Sequence, residues 1–129
     1  MKDSIFTKII KGEIPCYKVY EDDTVFAMLD IDPLSDGHVL VFPKKQVDLL
    51  WDLDQDVYNH LMDVAKLIAE KIQNKLNPLR VGMVVEGFGV PHAHIHLVPL
   101  YDKDVLQLHH GYPVRKDNFT DIASKINDL

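Results

Sequence analysis

Val90-Pro91-His92-Ala93-His94-Ile95-His96-Leu97-Val98-Pro99 places three of the chain's seven histidines at alternate positions between two prolines. A period of two puts His92, His94 and His96 on one face of a strand over 90–99 and Ala93, Ile95 and Leu97 on the other. Same-face neighbours along a strand lie about 7 Å apart, so three imidazoles can line one wall of a pocket. Imidazole there can be a metal ligand, a general acid or base, or a nucleophile towards phosphorus or acyl carbon. The apolar reverse face must pack on a core, which argues against a surface strand without chemistry. A zinc wall is a further reading, and it needs more ligands from elsewhere in the chain.

Ahead of this run, residues 79–86 alternate Val81, Met83 and Val85 with Arg80, Gly82 and Val84, which predicts a fourth strand. Gly87-Phe88-Gly89 predicts the tight loop between the two. The longest helix is expected over 53–76, where Val57, Leu61, Val64, Ile68, Ile72 and Leu76 step by three or four along one face. Asp52 or Asp54 is its expected cap, and Asn77-Pro78 stops it. Earlier still, 38–42 reads as a third strand ended by Pro43, and 16–20 with 25–29 as a hairpin turned at Glu21-Asp22-Asp23. Asp30 to Gly37 is a loop broken by Pro33 and Gly37. Ser4 caps a short first helix carrying Ile5, Phe6, Ile9 and Ile10, and Gly12 ends it. A last short helix is expected over 120–127, capped by Asn118 or Thr120. These elements add up to an α+β fold: a five-stranded, mostly antiparallel sheet, one long helix and short terminal helices.

The chain has 129 residues, the size of one domain. Its formal charge of −6 argues against a sequence-independent grip on a nucleic acid polymer, which needs a basic face. It leaves room for a small nucleotide. Cys16 is the only cysteine, so no internal disulfide is possible, and a reducing, cytoplasmic setting is expected. No long apolar segment reads as a signal peptide or membrane span.

The histidine run resembles the signature of the histidine-triad (HIT) family, His-x-His-x-His-x-x with apolar residues at x. Further landmarks of its Hint-like branch stand in order ahead of it: Ile5-Phe6-x-Lys8-Ile9-Ile10, Glu13-Ile14-Pro15, Tyr20-Glu21-Asp22, Leu29-Asp30-Ile31, Gly37-His38 and Val41-Phe42-Pro43-Lys44. The resemblance runs over about 4–99 within a single domain of 1–129, leaving 100–129 unassigned. It implies a homodimer that binds a purine nucleotide. It also implies hydrolysis or transfer of a nucleoside monophosphate through a covalent nucleotidyl-histidine, with no cofactor. By the same resemblance His94 is the nucleophile, His96 contacts the scissile phosphate or leaving group, the carbonyl of His92 orients His94, and His38 is the fourth histidine. Asp30 would accept the ribose hydroxyls. Ile5, Phe6, Ile9, Leu29 and Ile31 would form the base pocket, with Gly89 at its rim. A neutral imidazole whose proton is held on one nitrogen is a nucleophile at the other, in keeping with these roles.

Three departures from the family pattern carry expectations of their own. Relatives hold a structural zinc through Cys-x-x-Cys, a histidine after Pro-Lys and the first triad histidine. Here Ser4, Thr7 and Gln46 stand at the first three positions and only His92 remains, so no metal site is expected. Val85 replaces an asparagine. The loop 86–91 is shorter than in relatives and lacks their Gln and Ser. The last two changes leave alternatives open: a nucleotide-sensing module with weak or lost catalysis, or a dinucleoside polyphosphate hydrolase. His109 and His110 are candidates to reach the pocket, with a surface segment as the plainer reading. His60 reads as a helix-surface residue.

Overall fold

The computed structural model describes residues 2–106 and 119–127. In chain order it contains α1 (Ile5–Ile10), β1 (Lys18–Glu21), β2 (Val25–Leu29), β3 (Val39–Pro43), a 3-10 turn (Leu50–Asp52), α2 (Gln55–Leu76), β4 (Arg80–Val84), β5 (Ile95–Leu100) and α3 (Phe119–Asn127). The strands form one antiparallel sheet in the order β1-β2-β3-β5-β4. This is the expected α+β architecture.

Alternation along the strands divides the core between two faces. Val25, Ala27, Val39, Val41, Ile95 and Leu97 pack with Leu61, Val64, Ala65, Ile68 and Ile72 of α2. Phe26, Met28, Leu40 and Phe42 point the other way and pack with Phe6 and Ile9 of α1. The helical stripe read from the sequence therefore seats α2. Its last member departs: Leu76 remains 45% exposed, at the left-handed turn made by Asn77. Asp54 takes the N-cap position of α2, without a side-chain hydrogen bond.

α1 begins as expected, with the Ser4 hydroxyl accepting from Thr7 N–H. It ends in a paired closure: Gly12 N–H donates to Ile9 O and Glu13 N–H to Lys8 O, with Gly12 left-handed at φ 80°. α3 starts at Phe119, which excludes Thr120 as its cap. Asn118, His109 and His110 lie outside the described residues.

The decisive correction concerns the histidine run. A strand over 90–99 was expected, yet β5 starts only at Ile95. β3 and β5 pair as Val39↔Leu97 and Val41↔Ile95, so the next residues in register are Pro43 and Ala93. Pro43 has no N–H to offer, and the ladder stops. Its carbonyl instead accepts from His92 Nε2–H at 2.7 Å, and Ala93 N–H turns to Val47 O at 2.6 Å. The two-faced alternation continues through this non-strand segment: Ala93 still packs on the α2 side, and the histidines still face α1. The hairpin and fourth strand are also shorter than expected, as Cys16, Tyr17, Leu79, Val85 and Glu86 lie outside their strands.

Candidate active site

The three histidines do three different jobs. His92 does not line a pocket wall, contrary to the expectation from period two. It is wholly buried, with Phe6 and Phe42 edge-on, each at 5.5 Å between ring centres. Since a carbonyl only accepts, the contact with Pro43 O places the His92 proton on Nε2. Nδ1 then accepts from the Ser4 hydroxyl at 2.7 Å. Burial holds this imidazole below the usual histidine pKa, although the Pro43 carbonyl pulls the other way.

The same reasoning fixes His94. Its Nδ1 lies 2.7 Å from His92 O, so Nδ1 carries the proton and Nε2 is left with its lone pair. The ring is 4% exposed, meets Phe6 edge-on at 4.9 Å, and makes no other hydrogen bond among the described residues.

His96 is the one triad member inside β5, opposite Leu40. Its proton is set from the loop ahead of β3. Leu34 N–H donates to His38 Nδ1 at 3.1 Å, which leaves the proton on His38 Nε2. His38 Nε2–H then donates to His96 Nδ1 at 2.9 Å, which places the proton of His96 on Nε2. That nitrogen is buried and has no partner among the described residues, and the carboxylate of Glu86 stands 3.9 Å away, too far for a hydrogen bond. Burial depresses the pKa of His96, helped by neighbouring His94 and His38 and opposed by Asp30 and Glu86. Burial also lowers that of His38, against the pull of Asp30. Both are neutral at pH 7, so the 3.6 Å approach of His38 to Asp30 is no ion pair. The site thus presents a bare lone pair on His94 beside an unsatisfied N–H on His96, with ring centres 4.9 Å apart.

His94 and His96 both line a cavity of about 440 Å³. Ile5, Phe6, Ile9, Leu29, Ile31, Asp30 and Gly89 all line it, so each expected pocket residue reaches the same space as His94 and His96. Ile31 is 84% exposed and Phe6 only 4%, so the cavity runs from the core outward. His38 borders an adjoining cavity of about 280 Å³ with Asp30 and His96. Asp30 is held by its loop: its Oδ1 accepts from Asp32 N–H, and its own N–H donates to His38 O.

Sequence reasoning missed several participants. Glu86 reaches the triad from the β4 end, and a lone glutamate beside Gly87 gives no signal of that. Leu34 acts through a backbone N–H that no side chain announces. Thr7 and Gln46 were singled out only for standing where relatives have metal ligands, yet the fold gathers them with Ser4 and His92. Ser4 N–H and Thr7 Oγ1–H both donate to Gln46 Oε1, at 2.7 and 2.8 Å, and Gln46 Nε2 donates to Lys2 O at 2.8 Å. Hydrogen bonds thereby tie the start of α1 to the ring of His92. Two other groups of ligand-type residues, Asp30/His38/His96 and Glu86/His94/His96, share His96 and belong to the site itself. A cation in the first would break the His38–His96 bond that orients His96. His60, although half-exposed on α2, donates from Nε2 to Asp22 Oδ2 at 2.6 Å and anchors the β1–β2 turn.

The HIT domain family model matches residues 11–103. This chain belongs to the HIT family. It is 38% identical to a HIT-like protein of Borreliella burgdorferi over 81% of this chain and 80% of that one. It is 32% identical to an adenosine 5′-monophosphoramidase of Saccharomyces cerevisiae, over 97% of this chain and 79% of the relative. The crystal structure of a HIT family protein from Bacillus subtilis superposes with a TM-score of 0.84 at 30% identity, covering 98% and 96% of the two chains. No helix of the described HIT chain is long and apolar enough to cross a membrane.

Proposed function

We propose that the protein is a nucleotide hydrolase or transferase that cleaves a purine nucleoside 5′-phosphoramidate, or a similar P-linked nucleotide, through a nucleotidyl-His94 intermediate. One observation carries this reading: His94 holds its only proton on the His92 carbonyl and offers Nε2 to the cavity, beside the unpartnered Nε2–H of His96. The base fits among Ile5, Phe6, Ile9 and Ile31, and the two carboxylate oxygens of Asp30 suit the ribose hydroxyls.

His94 Nε2 attacks the α-phosphorus while the P–N bond breaks, and the electron pair leaves with the amine nitrogen, which takes a proton from solvent. His96 Nε2–H stabilises charge on the phosphoryl oxygens as a neutral donor, already oriented by His38. Water then attacks phosphorus, loses its proton to solvent, and the P–Nε2 pair returns to His94. The name of the yeast monophosphoramidase relative agrees with this reaction class.

Homodimerisation is part of the same proposal. The outer edge of β4 has no strand partner among the described residues, and Leu79 and Met83 beside it are exposed. Light scattering on the purified chain checks it, with the dimer mass expected and the monomer mass against it.

The catalytic reading is tested by His94→Ala. Turnover of an adenosine 5′-phosphoramidate should disappear while AMP affinity by calorimetry stays within a few-fold. Wild-type turnover by the variant would remove His94 as nucleophile. AMP binding by the wild type with no turnover of any P-linked nucleotide would make the chain a nucleotide sensor instead.

A further inference from the structure

We propose that a second cavity, lined by Asp48, Trp51, Glu86, Phe88 and His94, receives the leaving group, and that this group is an amine bearing a second, distal cation. The inference rests on the nucleotidyl-transfer reading above. Its volume is about 350 Å³, within the range of small-molecule sites.

The position follows from the reaction. Besides its two free oxygens, a phosphorus atom at His94 Nε2 carries the nucleoside oxygen and the amine nitrogen, and these two organic groups need separate spaces beside His94. The 440 Å³ cavity is walled by apolar side chains that suit a base. The second cavity shares only His94 and Glu86 with it. His94 is 4% exposed and lines both cavities, and no described residue bonds its Nε2, which places the reacting ring at their junction.

The chemistry follows from the lining. Asp48 and Glu86 bring two carboxylates, and no lysine or arginine lines this cavity. Among the described residues the Asp48 carboxylate makes no ion pair. Trp51 and Phe88 expose 76% and 92% of their surfaces, leaving ring faces available to a cation. Aromatic faces beside two carboxylates favour an ammonium or guanidinium over a neutral or anionic group. The bond being broken is still the P–N bond at the near nitrogen. That nitrogen leaves with its electron pair, and the distal cation keeps its proton throughout.

The test compares adenosine 5′-phosphoramidates of 1,5-diaminopentane and of hexylamine, which match in length and differ in the distal ammonium. Wild-type kcat/KM should favour the diamine adduct about tenfold, and the ratio should shrink as salt is added. Asp48→Asn and, separately, Trp51→Ala should each bring the ratio towards one, with folding of each variant checked by AMP calorimetry. A wild-type ratio near one, or a ratio untouched by both substitutions, overturns the leaving-group site and leaves the catalytic reading standing. Failure to turn over either adduct would instead remove the catalytic reading, and this inference with it.

Discussion

Ser4→Ala isolates the hydrogen bonds that hold the histidine run in place. The substitution removes one oxygen with three contacts, the longest to Thr7 Oγ1 at 3.2 Å. Ser4 Oγ accepts from Thr7 N–H at 3.0 Å, capping α1, and donates to His92 Nδ1 at 2.7 Å. Loss of a serine N-cap costs about 1 kcal/mol. Loss of the second partner strands a ring nitrogen on a residue with 0% exposure, at about 1–3 kcal/mol. Together the expected loss is about 2–4 kcal/mol of unfolding free energy, read as a shift in urea midpoint at constant slope. Thr7→Val is the control. It leaves the Ser4–His92 bond in place and removes the hydroxyl that donates to Gln46 Oε1 and lies 3.2 Å from Ser4 Oγ, so about 1 kcal/mol is expected. The turnover readout separates position from stability: freeing the His92 ring loosens the carbonyl that holds His94 Nδ1, so kcat should fall more than AMP affinity does. A loss under about 0.5 kcal/mol for Ser4→Ala would refute the reasoning, because it would show that the buried Nδ1 finds another donor at no cost.

Three more outcomes follow from the same geometry. His38→Phe removes the donor that fixes His96 Nδ1, and kcat should drop at least tenfold with AMP affinity nearly unchanged; equal losses in both would place His38 in binding instead. Burial holds His38, His92 and His96 below their ordinary value of 6.5, so below that pH the unfolded chain binds more protons than the folded one. Their contribution is therefore intact above pH 6.5 and lost as pH falls beneath it, and urea denaturation at pH 7.5 and 5.5 should show the weaker fold at the lower pH. Gly37 sits at φ 94°, where an added Cβ would collide with Leu76 Cδ1 and press on Pro99; Gly37→Ala should destabilise by about 1–2 kcal/mol, and a neutral result would mean the loop can shift freely.

The elements that follow a single hydrophobic period were legible in the sequence. Val25 to Leu29 and the Leu61-Val64-Ile68-Ile72 stripe are read correctly because apolar burial, on both faces of β2 and on one face of α2, is all that places them. The pocket residues were readable through the family resemblance, since apolar side chains at Ile5, Ile9 and Ile31 look the same in a core and in a base pocket. What the sequence hid depends on pairing across the fold. Alternation at His92, Ala93 and His94 reads as strand, but a ladder needs an N–H from the residue opposite, and Pro43 lies 49 positions away from His92. The tautomer of His96 descends from Leu34 N–H through His38, a relay made only when the loop ahead of β3 closes over the sheet. Ser4, Thr7 and Gln46 read as a metal site dismantled. In the fold their hydrogen bonds join α1 to the loop after β3 and to His92, so the loss of thiols leaves a bonded cluster rather than a gap.

Covalent nucleotidyl transfer to His94 leaves an adduct that a rapidly quenched reaction captures. Enzyme mixed with excess adenosine 5′-phosphoramidate, quenched in alkali to preserve the phosphorus–nitrogen bond, is digested and mapped by mass spectrometry. One adenylyl adduct is expected within turnover time, on His94, absent from His94→Ala. Sustained turnover with no adduct, or an adduct on His96 or His38 instead, would contradict it.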